Sequence, residues 1–96
     1  MGKVYRGDIG LKIGIETNTD LTDAILAKIK VKKPSGIETE WNADFEDKAA
    51  GKIYYIVQEG DLDEAGLYKL QAYCEFTDGS KLYGDTVSFV VHDKYE

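Results

Sequence analysis

An all-β sandwich is the fold class this sequence predicts, on three observations. Residues 68 to 76 alternate, with Tyr68, Leu70, Ala72, Cys74 and Phe76 on one side and Lys69, Gln71, Tyr73 and Glu75 on the other. That is the period of a strand with one buried face. Gly66 stands two residues before Tyr68 at the end of an acidic loop. This is how an immunoglobulin-type sandwich enters its long strand F, where the tyrosine hydroxyl bonds back to the loop backbone. Short strand-like runs recur along the chain with turn formers between them. The expectation is an immunoglobulin-like antiparallel β-sandwich of roughly six strands, or seven if residues 3 to 6 pair, with no disulfide.

The first element is carried by Ile9, Leu11, Ile13 and Ile15, alternating with Gly10, Lys12, Gly14 and Glu16. Turn formers at 17 to 20 close it. Residues 22 to 33 read two ways. Asp20 could cap a helix with Leu21, Ala24, Ile25 and Ile29 on one face. Alternatively Ala27, Ile29 and Val31 alternate with Lys28, Lys30 and Lys32 as a strand. The following Pro34-Ser35-Gly36 decides for the strand, because it is a three-residue hairpin loop in which Gly36 takes the left-handed position. Pairing Lys33 with Ile37 places Lys32 beside Glu38 and Lys30 beside Glu40 on one face. Val31 then meets Thr39, Ile29 meets Trp41, and Ala27 meets Ala43 on the other. Each such pair contributes roughly 0.2–1 kcal/mol. The lysine run thereby reads as half of a charge ladder rather than an anion site.

Residues 44 to 52 read as a polar connection with a helical turn at 45 to 50, closed by Gly51. Residues 52 to 57 form a short strand, apolar or aromatic on both faces and so covered on both sides. The last hairpin turns at Asp78-Gly79, a type I′ pair. Its register sets Leu70 against Val87, Tyr68 against Phe89 and Cys74 against Tyr83. Asp85 would then point inward beside Ala72. Either the sandwich is open there, or Gly84 sits in a bulge that turns Asp85 out. The expected core is Trp41 against Tyr68, Leu70, Ile29 and Val87, with Trp41 where such sandwiches place their core tryptophan. Pro34, Gly36, Gly66 and Gly79 are the structural turn residues.

At 96 residues the chain is of one-domain size, residues 1–96 with a core of about 7–91. The net charge is −6, which argues against nucleic acid as a partner, since phosphate contact needs a basic face. A single cysteine, Cys74, cannot form an internal disulfide and falls on the apolar face of its strand. The start of the chain has no apolar signal-peptide core, and no run is long enough for a membrane helix, so the expectation is a protein synthesised in the cytoplasm with no membrane partner.

A catalytic reading lacks parts. The one histidine, His92, is near the C-terminus and reads as frayed and solvated, and no serine or cysteine motif offers it a nucleophile. The acids Asp61, Asp63 and Glu64, and Asp20 with Asp23, could suggest calcium. Their spacing is not that of an EF-hand, and the first group is ordinary loop chemistry before a tyrosine corner. No cofactor, metal or catalytic residue is expected. Seven tyrosines remain as a functional hint. Tyr73 falls on an outward face, and Tyr54 and Tyr83 join it as a candidate contact surface.

Four segments carry a family resemblance: Gly7-Asp8-Ile9-Gly10; Thr19-Asp20-Leu21-Thr22-Asp23-Ala24; Lys33-Pro34-Ser35-Gly36 with Trp41 following; and residues 60 to 72 through the tyrosine corner. With these, the chain from Gly7 to about Val91 resembles a family of small bacteriophage and prophage proteins with an immunoglobulin-like fold. They occur among tail and baseplate genes and are akin to the N-terminal domain of the upper baseplate protein. The resemblance implies a non-enzymatic tail, baseplate or virion accessory component whose partners are other phage structural proteins, and a place in the virion. It supplies no catalytic residues. The alternative is a surface-recognition module for a glycan or protein.

Overall fold

The computed structural model describes residues 3–95. They form an immunoglobulin-like β-sandwich of eight strands and no helix: β1 (Val4–Tyr5), β2 (Lys12–Glu16), β3 (Ala24–Lys32), β4 (Glu38–Asn42), β5 (Asp44–Asp47), β6 (Lys52–Ile56), β7 (Gly66–Phe76) and β8 (Lys81–His92). One sheet has the order β1-β8-β7-β3-β4 and the other β2-β6-β5. Every pairing is antiparallel except the short β1–β8 pair, which is parallel.

The β3–β4 hairpin has the expected register, but its charge ladder is partial: Lys28 and Lys30 bond Glu40, and Lys32 forms no ion pair with Glu38. Lys32 pairs with Glu38, Lys30 with Glu40, Val31 with Thr39 and Ile29 with Trp41. The Ala43 N–H continues the ladder to the Ala27 carbonyl, and the Lys33 N–H closes on Ile37 across the Pro34-Ser35-Gly36 loop. Residues 24 to 32 are thus strand, and Asp20 instead holds a local turn by accepting from the Thr22 N–H at 2.9 Å.

The last hairpin departs from its expected turn. Phe76 and Ser80 close a loop of three residues, 77 to 79, and of its members only Gly79 has a positive φ. A type I′ turn needs positive φ at both central residues. The shorter pairing sets Tyr73 against Tyr83 and Cys74 against Leu82, one residue off the expected Cys74–Tyr83. A bulge at Gly84-Asp85 adds the residue back, so that Gln71–Thr86, Leu70–Val87 and Tyr68–Phe89 hold. The bulge leaves Asp85 exposed and Gly84 against Ala72, where a Cβ would come to 3.3 Å.

Four other expectations are corrected. The expected helical turn at 45 to 50 is β5, which pairs with β6 and carries the chain from one sheet to the other just after Ala43. The strand expected from Ile9 starts at Lys12, because Gly10 sits at φ 88°, outside the extended region, and Ile9 is 63% exposed. Trp41 is buried as expected, but on the sheet's edge strand β4. The position beside the tyrosine-corner strand, where the tryptophan of antibody domains stands, belongs to Ile29. Val87, expected in the core opposite Leu70, is 42% exposed, because the three-stranded sheet does not reach across β8.

The core lies between the sheets. Ile29, Ile53, Val57, Leu21, Leu62 and Tyr68 are fully buried. The Trp41 and Tyr55 rings stack across the gap at 4.9 Å, and Tyr68 stacks on Phe89 at 5.6 Å. On the outer face of β6 no further layer stands among the described residues. Lys12 lies over the Tyr54 ring at 4.9 Å instead, and Ile56 is partly exposed.

Candidate functional site

The acidic loop before β7 is occupied with holding the fold. The Glu64 N–H donates to the Tyr68 hydroxyl oxygen at 3.1 Å, which is the tyrosine corner. The Glu64 carboxylate accepts from the Ser35 N–H at 3.0 Å and from its hydroxyl at 2.9 Å. Lys33 meets Asp63 at 2.7 Å, and this bond pulls the Asp63 carboxyl below its ordinary value and raises the Lys33 ammonium. Asp61 accepts from the Tyr55 hydroxyl at 2.5 Å and from the Gln58 N–H at 2.7 Å. Burial, then that bond, push the Tyr55 phenol up to about 12. Gly66, at φ 130°, lies so close to Pro34 that a Cβ would come within 2.8 Å of the ring. Loop 61–66 and hairpin 33–36 therefore form one clamp at this end of the sandwich. Tyr68→Phe removes the acceptor of the Glu64 N–H, and stability is expected to fall by about 0.5–1.5 kcal/mol. An unchanged urea midpoint would show that the corner is not held by that bond.

Among the described residues no three His, Cys, Asp or Glu side chains converge as metal ligands. Cys74 is fully buried and burial raises its thiol pKa, which disfavours the thiolate a nucleophile needs. His92 is not frayed: it is the last residue of β8, half-buried, 6.1 Å from the Tyr5 ring, and its carbonyl accepts from the Arg6 N–H. No helix is long and apolar enough to cross a membrane among the described residues.

The three candidate contact tyrosines separate. Tyr83 is 58% exposed. Tyr54 is half-buried under Lys12. Tyr73 points to the outer face, yet only 7% of it reaches solvent. Tyr83 packs on it at 5.0 Å, Lys30 lies over its ring at 5.0 Å, and its hydroxyl donates to Glu75 at 2.6 Å. The bond to Glu75 and then burial push its phenol up to about 12. Alternation predicts its direction but not these covers.

What the strand topology adds is an open edge. β1 covers only Val91 and His92 of β8, so the outer edge of β8 from Lys81 to Val90 has no strand beside it among the described residues. β2, the facing edge of the other sheet, pairs only with β6. Between them lies a mainly apolar groove of about 240 Å³, with Val87, Phe89, Leu11 and Ile13 in its walls. Apart from the two-residue β1, the other edge strands carry charge: Glu38 and Glu40 on β4, Asp44, Glu46 and Asp47 on β5, Lys12 and Glu16 on β2. Such charges discourage strand addition. From Thr86 to Val90 the edge of β8 has none, and Val87 and Val90 are 42% and 49% exposed. Asp85 and its bulge bound this stretch at one end and β1 bounds it at the other.

Fold and surface together define an immunoglobulin-like sandwich in which the uncharged edge of β8 from Thr86 to Val90 has no strand beside it among the described residues. No family model matches the sequence, and no curated protein matches it. Among solved structures, the chain is similar to CopC from Methylosinus trichosporium OB3b, with a TM-score of 0.62 and 13% identity, over 100% of this chain and 89% of that one. A likeness at that identity concerns the fold.

Proposed function

We propose that this protein is a non-enzymatic structural protein that acts through protein–protein contacts, taking an extended strand of a partner onto the open edge of β8. The observation that carries this reading is the unpaired and uncharged stretch from Thr86 to Val90 beside an apolar groove. Free N–H and C=O groups supply affinity to an added strand, and pockets beneath it supply selectivity. The sequence resemblance sets this activity in a bacteriophage or prophage particle, as a tail or baseplate component or virion accessory, with other phage structural proteins as partners. Fold alone would not license that setting.

The edge is tested by Val87→Lys. Its side chain is partly exposed already, so the lysine can reach solvent and the fold should keep its Tm. The charge would then sit in the groove where a strand must enter. Purified particles of the parent phage or prophage are expected to contain the wild-type protein and to lack the variant. Equal incorporation of both would remove the edge from the reading. Absence of the wild type from particles, with the free protein binding a glycan array, would favour surface recognition instead.

A further inference from the structure

The outer face of the five-stranded sheet holds two lysines that oppose each other. Lys32 and Lys69 are direct cross-strand partners in the β3–β7 pair, which brings their Cβ atoms to about 5 Å. Both are exposed. Neighbouring lysines each have a carboxylate partner: Lys28 and Lys30 share Glu40 at 3.1 and 2.7 Å, and Lys33 holds Asp63. Lys32 has Glu38 as its other register partner but forms no ion pair with it, and Lys69 has Ser88. Among the described residues neither ammonium has an ion-pair partner.

Like charges set opposite each other destabilise a sheet. Here they do so in a chain with 18 acids and 12 bases, where a carboxylate neighbour is the commoner outcome. Two shallow hollows, of about 220 and 260 Å³, have Lys32 and Lys69 as their shared wall; Lys30 and Glu38 also line the first, and Lys33 the second. One row further along the same face Leu67 pairs with Val90, and these are 45% and 49% exposed. One row the other way stand Gln71 and Thr86. The surface is thus a cationic pair with an apolar shoulder on one side and hydrogen-bonding groups on the other.

We propose that Lys32 and Lys69 seat the carboxylates of an acidic, partly apolar segment of a partner protein. Its acids lie between the two ammoniums, and an apolar residue beside them covers Leu67 and Val90. A long polyanion fits less well, because the remaining surface is acidic and would repel it beyond these two charges. A lone phosphate would leave the apolar shoulder bare. This seat lies on the sheet's outer face and does not depend on strand addition at β8.

The test is an amide NMR titration with a synthetic peptide alternating Glu and Leu, and in parallel with inorganic phosphate. The peptide is expected to move the amides of Lys32, Lys69, Ser88 and Leu67, and phosphate to move them little. The double variant Lys32→Gln/Lys69→Gln should bind the peptide at least about tenfold more weakly, the loss of two charge contacts. Amides of Leu11 and Ile13, which line the β8 groove, should stay unmoved, and this separates the seat from the β8 edge. Lys69→Glu supplies a second readout. It replaces a repulsion with a pairing to Lys32, so Tm should rise while peptide binding is lost. Three results would overturn the proposal: unchanged binding in the double variant, phosphate moving the same amides as strongly as the peptide, or a lower Tm for Lys69→Glu.

Discussion

Trp41→Ala is expected to lower stability by about 3–5 kcal/mol, the range for removing a large buried aromatic side chain. Domains of this kind have about 5–15 kcal/mol in total, so the loss would be a large share of it. The indole is 4% exposed and comes from β4, at the edge of the five-stranded sheet. Its ring lies nearly parallel to that of Tyr55 on β6, at an interplanar angle of 15°. Ile29, fully buried, is its cross-strand neighbour. The side chain therefore fills space between the two sheets rather than within one. An edge strand is less braced than a central one, so the hole would admit water or let β4 shift. Trp41→Phe keeps an aromatic over Tyr55 and should lose less. Urea unfolding followed by circular dichroism measures both. A loss below about 1 kcal/mol for the alanine variant would mean that the sheets do not meet at this ring.

The residues that could be read from the sequence are those whose partners are local. The β3–β4 register followed from a loop of fixed length and from charges of opposite sign on both strands; a slip of one residue would have put Trp41 and Ile29 on opposite faces of the sheet. The tyrosine corner followed from Gly66 and Tyr68 at a short spacing. The β5 strand was hidden because Asp44, Glu46 and Asp47 have little intrinsic preference for a sheet. It is the pairing with β6, and Phe45 turned half-buried beneath Lys48 at 4.6 Å, that make it one. The Asp78-Gly79 pair fits both a two-residue and a three-residue loop. The choice between them depends on where β8 is bulged, and Asp85 was the one residue that signalled the bulge. The surface was legible in part. Small, uncharged side chains on β8 were visible in the sequence. That β1 would stop after two residues and leave the edge bare depends on the path of residues 6 to 10, where the Gly7 N–H bonds to the distant Leu62 carbonyl.

Gly51→Ala is expected to lower stability by about 3 kcal/mol, more than strain at a left-handed residue alone would cost. Gly51 has φ 74°, and an added Cβ would come within 2.3 Å of the Thr19 carbonyl oxygen, 2.7 Å of the Thr17 hydroxyl and 3.0 Å of the Thr19 nitrogen. Two of these atoms are backbone and cannot turn aside by changing rotamer. Loop 17–20 and turn 48–51 would have to separate. They are tied by the Thr17 N–H on the Gly51 carbonyl at 2.8 Å and by the Leu21 N–H on the Lys48 carbonyl at 2.7 Å. Leu21 is fully buried, so moving this loop draws on the core. Gly36→Ala is the control. It has a similar φ of 93° but nothing within 4 Å of the added atom, and should cost only about 1–2 kcal/mol for the left-handed conformation. Urea midpoints of the two variants give the comparison. Equal losses would mean that the close approach between turn and loop is absent, and that Gly51 is required for its backbone angle alone.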